Sequence, residues 1–266
     1  MALSITAAWD DARRFVAREA GLLVPVALTL LVVPGALVEL AMPARVEGGT
    51  PAGPWVLALP ILFLSTLLAS LTISRLALGG GVSVGEALGH AARRLPVAIG
   101  ASLILAFAAM LAFMPVAPLL PGQGGPPQMG GGAALLLMLY MLALLAAVFF
   151  VGIRLLLVNV VIVAEPVGVL PALRRSFALT KGHFPKLAGV MLLFAIGSLL
   201  IGGAASLAGG AVLIGLGKLL GLEAIGRLLL ALLSGCVSAV LSVYFVTTLT
   251  MIYRRLTGPD LARLFD

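Results

Sequence analysis

The chain has 266 residues, of which 62% are hydrophobic and only 10% are charged, with a formal net charge of +7. A soluble domain carries about 25% charged residues, so water could not solvate this surface and an ordinary soluble domain is excluded. In a bilayer, each helix of roughly 20 residues satisfies its own backbone hydrogen bonds while lipid takes up the apolar exterior.

The chain opens on an amphipathic stretch. Ile5, Trp9, Ala12 and Val16 recur at spacings of three and four with Phe15 beside them, while Asp10, Asp11, Arg14 and Arg18 fall elsewhere on the wheel. This predicts a helix lying in the membrane interface. Apolar runs bounded by charges or Pro/Gly clusters then predict six spans, at about 20–42, 55–78, 96–119, 133–164, 185–207 and 227–252. The first run is longer than the roughly 7–15 residues of a signal h-region, which argues against cleavage. Pro25, Pro34 and Pro115 are expected kink sites. Glu39 lies near the outer end of span one and reads either as an interfacial side chain or as a proton carrier. Arg75, near the inner end of span two, is placed to snorkel.

Span four exceeds the roughly 17–25 residues that a bilayer needs, so it is expected to tilt or to extend beyond the hydrocarbon at its charged end. It carries Arg154 and Asn159 and ends at Glu165, with Arg154 and Glu165 eleven residues apart on nearly the same helical face. Two readings stay open. In one, Arg154 snorkels to headgroups and Glu165 caps the exit before Pro166; in the other, the two form a buried ion pair or a substrate contact. The stretch 121–132 reads as a flexible, uncharged external loop. Residues 207–221 are apolar but Gly-rich, and read as the end of span five plus a short interfacial or re-entrant segment. Ser198, Gly202, Ser206 and Gly210, and likewise Ser234, Ser238 and Ser242, recur every four positions. Such stripes let backbones approach closely, so spans five and six should pack tightly within one chain or across a homo-oligomer, unless the serines line a polar path.

The basic residues alternate between loops. Thirteen lie in the N-terminal segment, the second and fourth loops and the tail, against Arg45, Lys218 and Arg227 in the alternate loops. This positive-inside bias places both termini in the cytoplasm. It also explains the net charge without nucleic acid, for which no RNA-binding aromatic motif or helix-turn-helix pattern is present. Arginine outnumbers lysine fourteen to three, which together with the Ala/Gly richness suggests a bacterial source and hence the inner membrane.

The segment from Ala7 to Arg14 matches that from Ala87 to Arg94 in spacing, and a looser third copy begins at Ala172; the starts lie 80 and 85 residues apart. The expected fold is an all-α membrane bundle, one integral domain of three parallel units at about 1–80, 81–165 and 166–266. Each unit is an amphipathic basic helix followed by a transmembrane hairpin. In the third, Leu170, Leu173 and Phe177 form the apolar stripe, and Arg174, Arg175 and Lys181 point toward headgroups. Arg13, Arg14, Arg93, Arg94, Arg174, Arg175 and Lys181 are the candidate contacts to anionic lipid or a cytoplasmic protein partner, or else serve only to anchor the helices and set topology.

The stretch from Glu165 to Phe184 contains Ala172-Leu173-Arg174-Arg175-Ser176-Phe177 and Leu179-Thr180-Lys181-Gly182-His183-Phe184, and Tyr253-Arg254-Arg255-Leu256 follows span six. These residues resemble a bacterial membrane domain that in some proteins accompanies a glycerophosphodiester phosphodiesterase, together with related six-span inner-membrane proteins. The resemblance implies the same membrane architecture. It does not imply the phosphodiesterase reaction, which belongs to a separate soluble barrel for which this chain has no room.

His90 and His183 have no second His or Cys at ligand spacing, and no H-E-x-x-H or P-loop occurs. The lone Cys236 supports neither a disulfide framework nor a thiol metal site, and no cofactor motif is found. The expected role is non-enzymatic, auxiliary or scaffolding, with a small transporter or channel as the alternative and a lipid-acting enzyme behind it.

Overall fold

The computed structural model describes residues 4–41, 53–79, 81–119 and 131–262. Every described element is helical: α1 Ile5–Arg18, α2 Ala20–Ala27, α3 Val33–Ala41, α4 Leu59–Leu78, α5 Val84–Phe113, α6 Gly131–Arg154, α7 Val158–Ala164, α8 Val169–Leu179, α9 Phe184–Gly209, α10 Gly215–Leu219 and α11 Glu223–Ala262. Among the described residues, six stretches are long and apolar enough to cross a membrane, as in a multi-pass membrane protein: Ala20–Val38, Val56–Leu78, Val84–Val116, Ala134–Ala164, Phe184–Leu219 and Ile225–Gly258. Arg45, Arg263 and residues 121–130 of the expected external loop lie outside the described residues.

Several boundaries differ from those the sequence predicts, each for an identifiable reason. Span one is α2, a π-helical turn over Leu28–Val32, and α3. Pro34 lacks an N–H and its ring crowds the carbonyl four residues back, and just before it the Val33 N–H bonds Leu28 O with i→i−5 spacing. Span three does not begin at 96. A capping box between Ser83 and Glu86 starts α5 at Val84, and the helix runs unbroken through Pro96. The second basic segment is therefore the first part of a transmembrane helix. The first and third are separate helices, ending at Glu19 and at the Thr180–Gly182 turn, where Gly182 takes a φ of +83°. Residues 207–221 do not turn back as a re-entrant segment: α9 continues through a π-turn over Gly210–Ile214 into α10 and turns only after Leu219.

Packing is concentrated at the end of the bundle that carries the basic segments. Helix–helix association in lipid draws on close van der Waals contact, which small residues permit. Ala8 and Ala12 of α1, Ala91, Ala98 and Ala101 of α5 and Ala172 of α8 are buried in one cluster with Leu71 of α4 and Leu249 and Ile252 of α11. At its centre sits α7, whose Val160, Val161, Ile162 and Val163 are all buried. A helix apolar all round belongs in an interior, and α7 contacts α4, α5, α8 and α11. The faces that pack in α1 and α8 are these alanines and Ser176. Of the expected stripe, Leu170 stays exposed, while Phe177, exposed on one side, packs against Phe150 of α6.

The opposite half is open. Along α6, Leu144 is buried but Leu135, Leu136, Met138, Leu139, Leu142 and Leu145 are exposed, and the helix lies at the periphery against α9. The Tyr140 hydroxyl also donates to the Ala112 carbonyl of α5. Spans five and six pack together, but not along the serine stripe. Their closest approaches lie further along, where a Cβ on Gly209 would come within 2.7 Å of a Leu233 methyl and one on Gly226 within 2.5 Å of the Leu213 carbonyl oxygen. At Gly202 a Cβ would meet nothing within 4 Å. There Ser198, Gly202, Ser238 and Ser242 line a groove of about 330 Å³ between α9 and α11.

Candidate functional site

Arg154 ends α6, and the chain does not continue as one helix to residue 164. The Val158 N–H bonds Leu155 O instead of the Arg154 carbonyl, leaving that carbonyl without its helical partner. The Ser176 hydroxyl of α8 replaces it, donating at 3.0 Å, with Thr180 Oγ1 just past α8 lying 3.3 Å away and shared with the Ser176 and Phe177 carbonyls. The break thus joins α6 to α8 through one backbone oxygen. The Arg154 side chain meets an aromatic cage: its guanidinium carbon lies 5.2 Å from the Phe150 ring centroid, 5.0 Å from Phe177 and 6.0 Å from Phe184. Nε and Nη1 are buried with no hydrogen-bond partner, so cation–π attraction is the compensation for their lost hydration.

Of the two readings of Arg154 and Glu165, the one that pairs them as ions does not hold. The break at 155–157 removes the shared helical face, and Glu165 Oε1 instead accepts from Arg175 Nε at 3.1 Å and from the Tyr253 hydroxyl at 2.9 Å. Arg175 therefore holds a carboxylate and does not reach outward as expected. Asn159 also faces inward, donating to Ser70 Oγ of α4 at 3.3 Å. His90 joins α5 to α7 by a 3.2 Å bond between Nε2 and Val163 O. His183 Nδ1 is buried with no partner. Glu39 is a residue of α3, and its side chain falls outside the described set.

Of the other predicted contact residues, Arg13, Arg93, Arg174 and Lys181 are exposed on α1, α5, α8 and the turn after α8, and Arg94 is half-buried. Arg14 belongs to a more developed arrangement. A cleft of about 470 Å³ between α1 and the end of α11 is lined by Asp11, Arg14, Arg18, Arg254 and Arg255, with Phe15 and Met251 as its apolar lining. Asp11 accepts from Arg255, through both Nε and Nη2, and from Arg14 Nη2 at 2.6 Å. The hydrogen bonds from Arg255 and then Arg14 hold the Asp11 carboxyl below the usual carboxylate range, against the opposing effect of burial. Among the described residues, no carboxylate pairs with Arg18 or Arg254. In the sequence Arg18 belongs to the polar face of α1 and Arg254 and Arg255 to the motif after span six, and no local pattern joins them. Their common signal is the positive-inside expectation, under which both basic ends of the chain fall on one side of the membrane.

Among the described residues, no group of three or more His, Cys, Asp or Glu is placed to hold a metal ion. What these arrangements can do chemically is bind anions and hold helix ends together. No family model matches the chain, and neither a curated protein nor a solved structure matches it.

Proposed function

We propose that this protein is a non-enzymatic component of a bacterial inner membrane with an auxiliary, scaffolding role, both termini cytoplasmic, whose basic end binds anionic lipid headgroups or a cytoplasmic partner. The observation that carries this reading is the exposure of Arg13, Arg14, Arg93, Arg174 and Lys181 around the most tightly packed part of the bundle. A rigid core under a set of outward cations is suited to holding a partner in one orientation. Cations near a membrane surface also gain about 1 kcal/mol each from anionic lipid. The likeness of Glu165–Phe184 to the phosphodiesterase-associated membrane domain is consistent with an auxiliary role.

The test replaces Arg174 and Lys181 by Gln together, leaving Arg175 in place because it holds Glu165. Anionic-lipid retention or partner capture falls while membrane insertion is unchanged. Unaltered binding of both kinds would sink the proposal.

A second reading, a small transporter or channel, is favoured by the serine-lined groove between α9 and α11. It requires solute flux in liposomes that depends on Ser198 and Ser242. Arg154, enclosed by three phenylalanines, is not among the residues lining that groove.

A further inference from the structure

We infer that the cleft formed by Arg14, Arg18, Arg254 and Arg255 is a binding site for a phosphate group. The inference rests on the reading of the basic end as an anion-binding surface and deepens it to one site and one ligand chemistry. Four guanidiniums and one carboxylate line the cleft, a local charge of +3 by count. Asp11 occupies Arg14 and Arg255, which leaves Arg18 and Arg254 without a carboxylate among the described residues. Arg254 Nη1 reaches only the sulfur of Met251, at 3.9 Å, a weak acceptor. Like charges held this close repel one another unless a counter-anion is present.

The residue type and the geometry specify that anion further. All four cations are arginine, although the chain does contain lysine. Guanidinium forks match the oxygens of phosphate in pairs, which an ammonium does not. Arg14 and Arg18 are four residues apart, hence on one face of α1, and they meet two consecutive arginines of α11 across the cleft. Donors therefore converge from two helices. A phosphate monoester carries about −1.5 to −2 charges and three acceptor oxygens, which suits this set better than a single carboxylate. The cleft volume of about 470 Å³ falls within the range of about 300–1,000 Å³ for small-molecule sites. It has room for a phosphate with its substituent. Phe15 and Met251 offer that substituent an apolar contact. Both helices end near the cleft, and helix C-termini repel anions, so the guanidiniums alone must carry the affinity. Binding should accordingly weaken with salt.

Phosphate can reach the cleft as a lipid headgroup or as a soluble ester, and two arms of one experiment separate these sources. Native mass spectrometry of the full-length protein is run with glycerol 3-phosphate in one arm, and with phosphatidic acid competing against phosphatidylcholine in the other. The protein should retain the phosphate ligand in at least one arm: phosphatidic acid alone identifies a headgroup site, and both ligands identify a site open to soluble esters.

The double variant Arg18→Gln/Arg254→Gln should weaken retention about tenfold or more, as expected for loss of charge-assisted bonds. It leaves the Asp11 pairs intact, and unchanged elution volume checks its fold. Arg18→Lys/Arg254→Lys, which keeps the charge but loses the forks, should fall between. The control Arg93→Gln/Arg174→Gln removes the same charge from exposed positions of the broader basic surface and should weaken retention about threefold or less, well below the loss from the cleft variant. Equal losses from the cleft and control variants would overturn the cleft while leaving the broader basic surface standing. A wild-type protein that retains neither ligand would overturn the cleft and the lipid-binding half of the broader reading together.

Discussion

The Tyr253 hydroxyl donates to Glu165 at 2.9 Å, tying the last transmembrane helix to the exit of α7 across 88 residues of sequence. Arg175 bonds the same carboxylate oxygen from α8, so one acidic group links three separate parts of the bundle. Glu165→Ala should lower stability by about 2–3 kcal/mol, because it strips two donors of a charged acceptor. A cycle of Glu165→Ala and Tyr253→Phe, followed by thermal unfolding in detergent, should give a coupling of about 1–2 kcal/mol. Additive effects would mean that the contact contributes nothing.

Arg154 leads to an opposite expectation. Its buried Nε and Nη1 lack partners, and each unsatisfied donor costs about 1–3 kcal/mol, whereas the cation–π contacts return about 0.5–2 kcal/mol. Arg154→Met, which keeps the stem packing among Phe150, Phe177 and Phe184, should leave the melting temperature unchanged or raise it. Arg154→Ala should lower it by opening a cavity. A large loss of stability in the Met variant would show that the guanidinium has a partner.

Alanine replacement separates the close approach of spans five and six from their groove. At Gly226 the new Cβ would lie 2.5 Å from the Leu213 carbonyl oxygen, a backbone atom that cannot swing aside. Gly226→Ala should therefore destabilise by about 1–3 kcal/mol. Gly202→Ala meets nothing within 4 Å and should be neutral or slightly stabilising through higher helix propensity. Unfolding midpoints of the two variants check the contrast, and similar values for both would contradict the helix placement.

The docking of α1 should respond to acid. The Asp11 carboxyl is held below its ordinary value of 3.8 by Arg255 and Arg14, so the folded state favours its ionised form. A depressed value contributes stability that is present above pH 3.8 and lost as pH falls through the lower, folded value. Trp9, which stacks near Tyr244 at 5.5 Å, reports this in a Trp55→Phe background. Its emission should shift to the red on acidification, whereas Asp11→Asn should show the shifted emission already at neutral pH and little further response.

The six spans and the separate helices α1 and α8 are legible in the sequence because lipid imposes long apolar runs and the basic segments alternate with them. The break at Leu155–Leu157 is not, since it contains neither Pro nor Gly. Ser176, from a helix later in the chain, supplies the bond that makes it tolerable. The partners of Glu165 are illegible for the same reason, because an unbroken helix would face it toward Arg154. The basic cleft was only half visible. Arg14 and Arg18 read as one helical face, but the Asp11–Arg255 contact spans 244 residues, and no local pattern predicts a pairing at that separation.

That contact also constrains the order of assembly. The surface of α1 is completed by α11, the last of the six spans, so α1 leaves the ribosome long before its docking site exists. Until Arg255 has been synthesised, Asp11 and the alanine face around Ala8 and Ala12 have no seat, and α1 must wait at the membrane surface, held by its own amphipathic character. Chains truncated within α11 should insert their earlier spans yet keep α1 open to protease, so that closure of the basic end marks completion of the whole bundle.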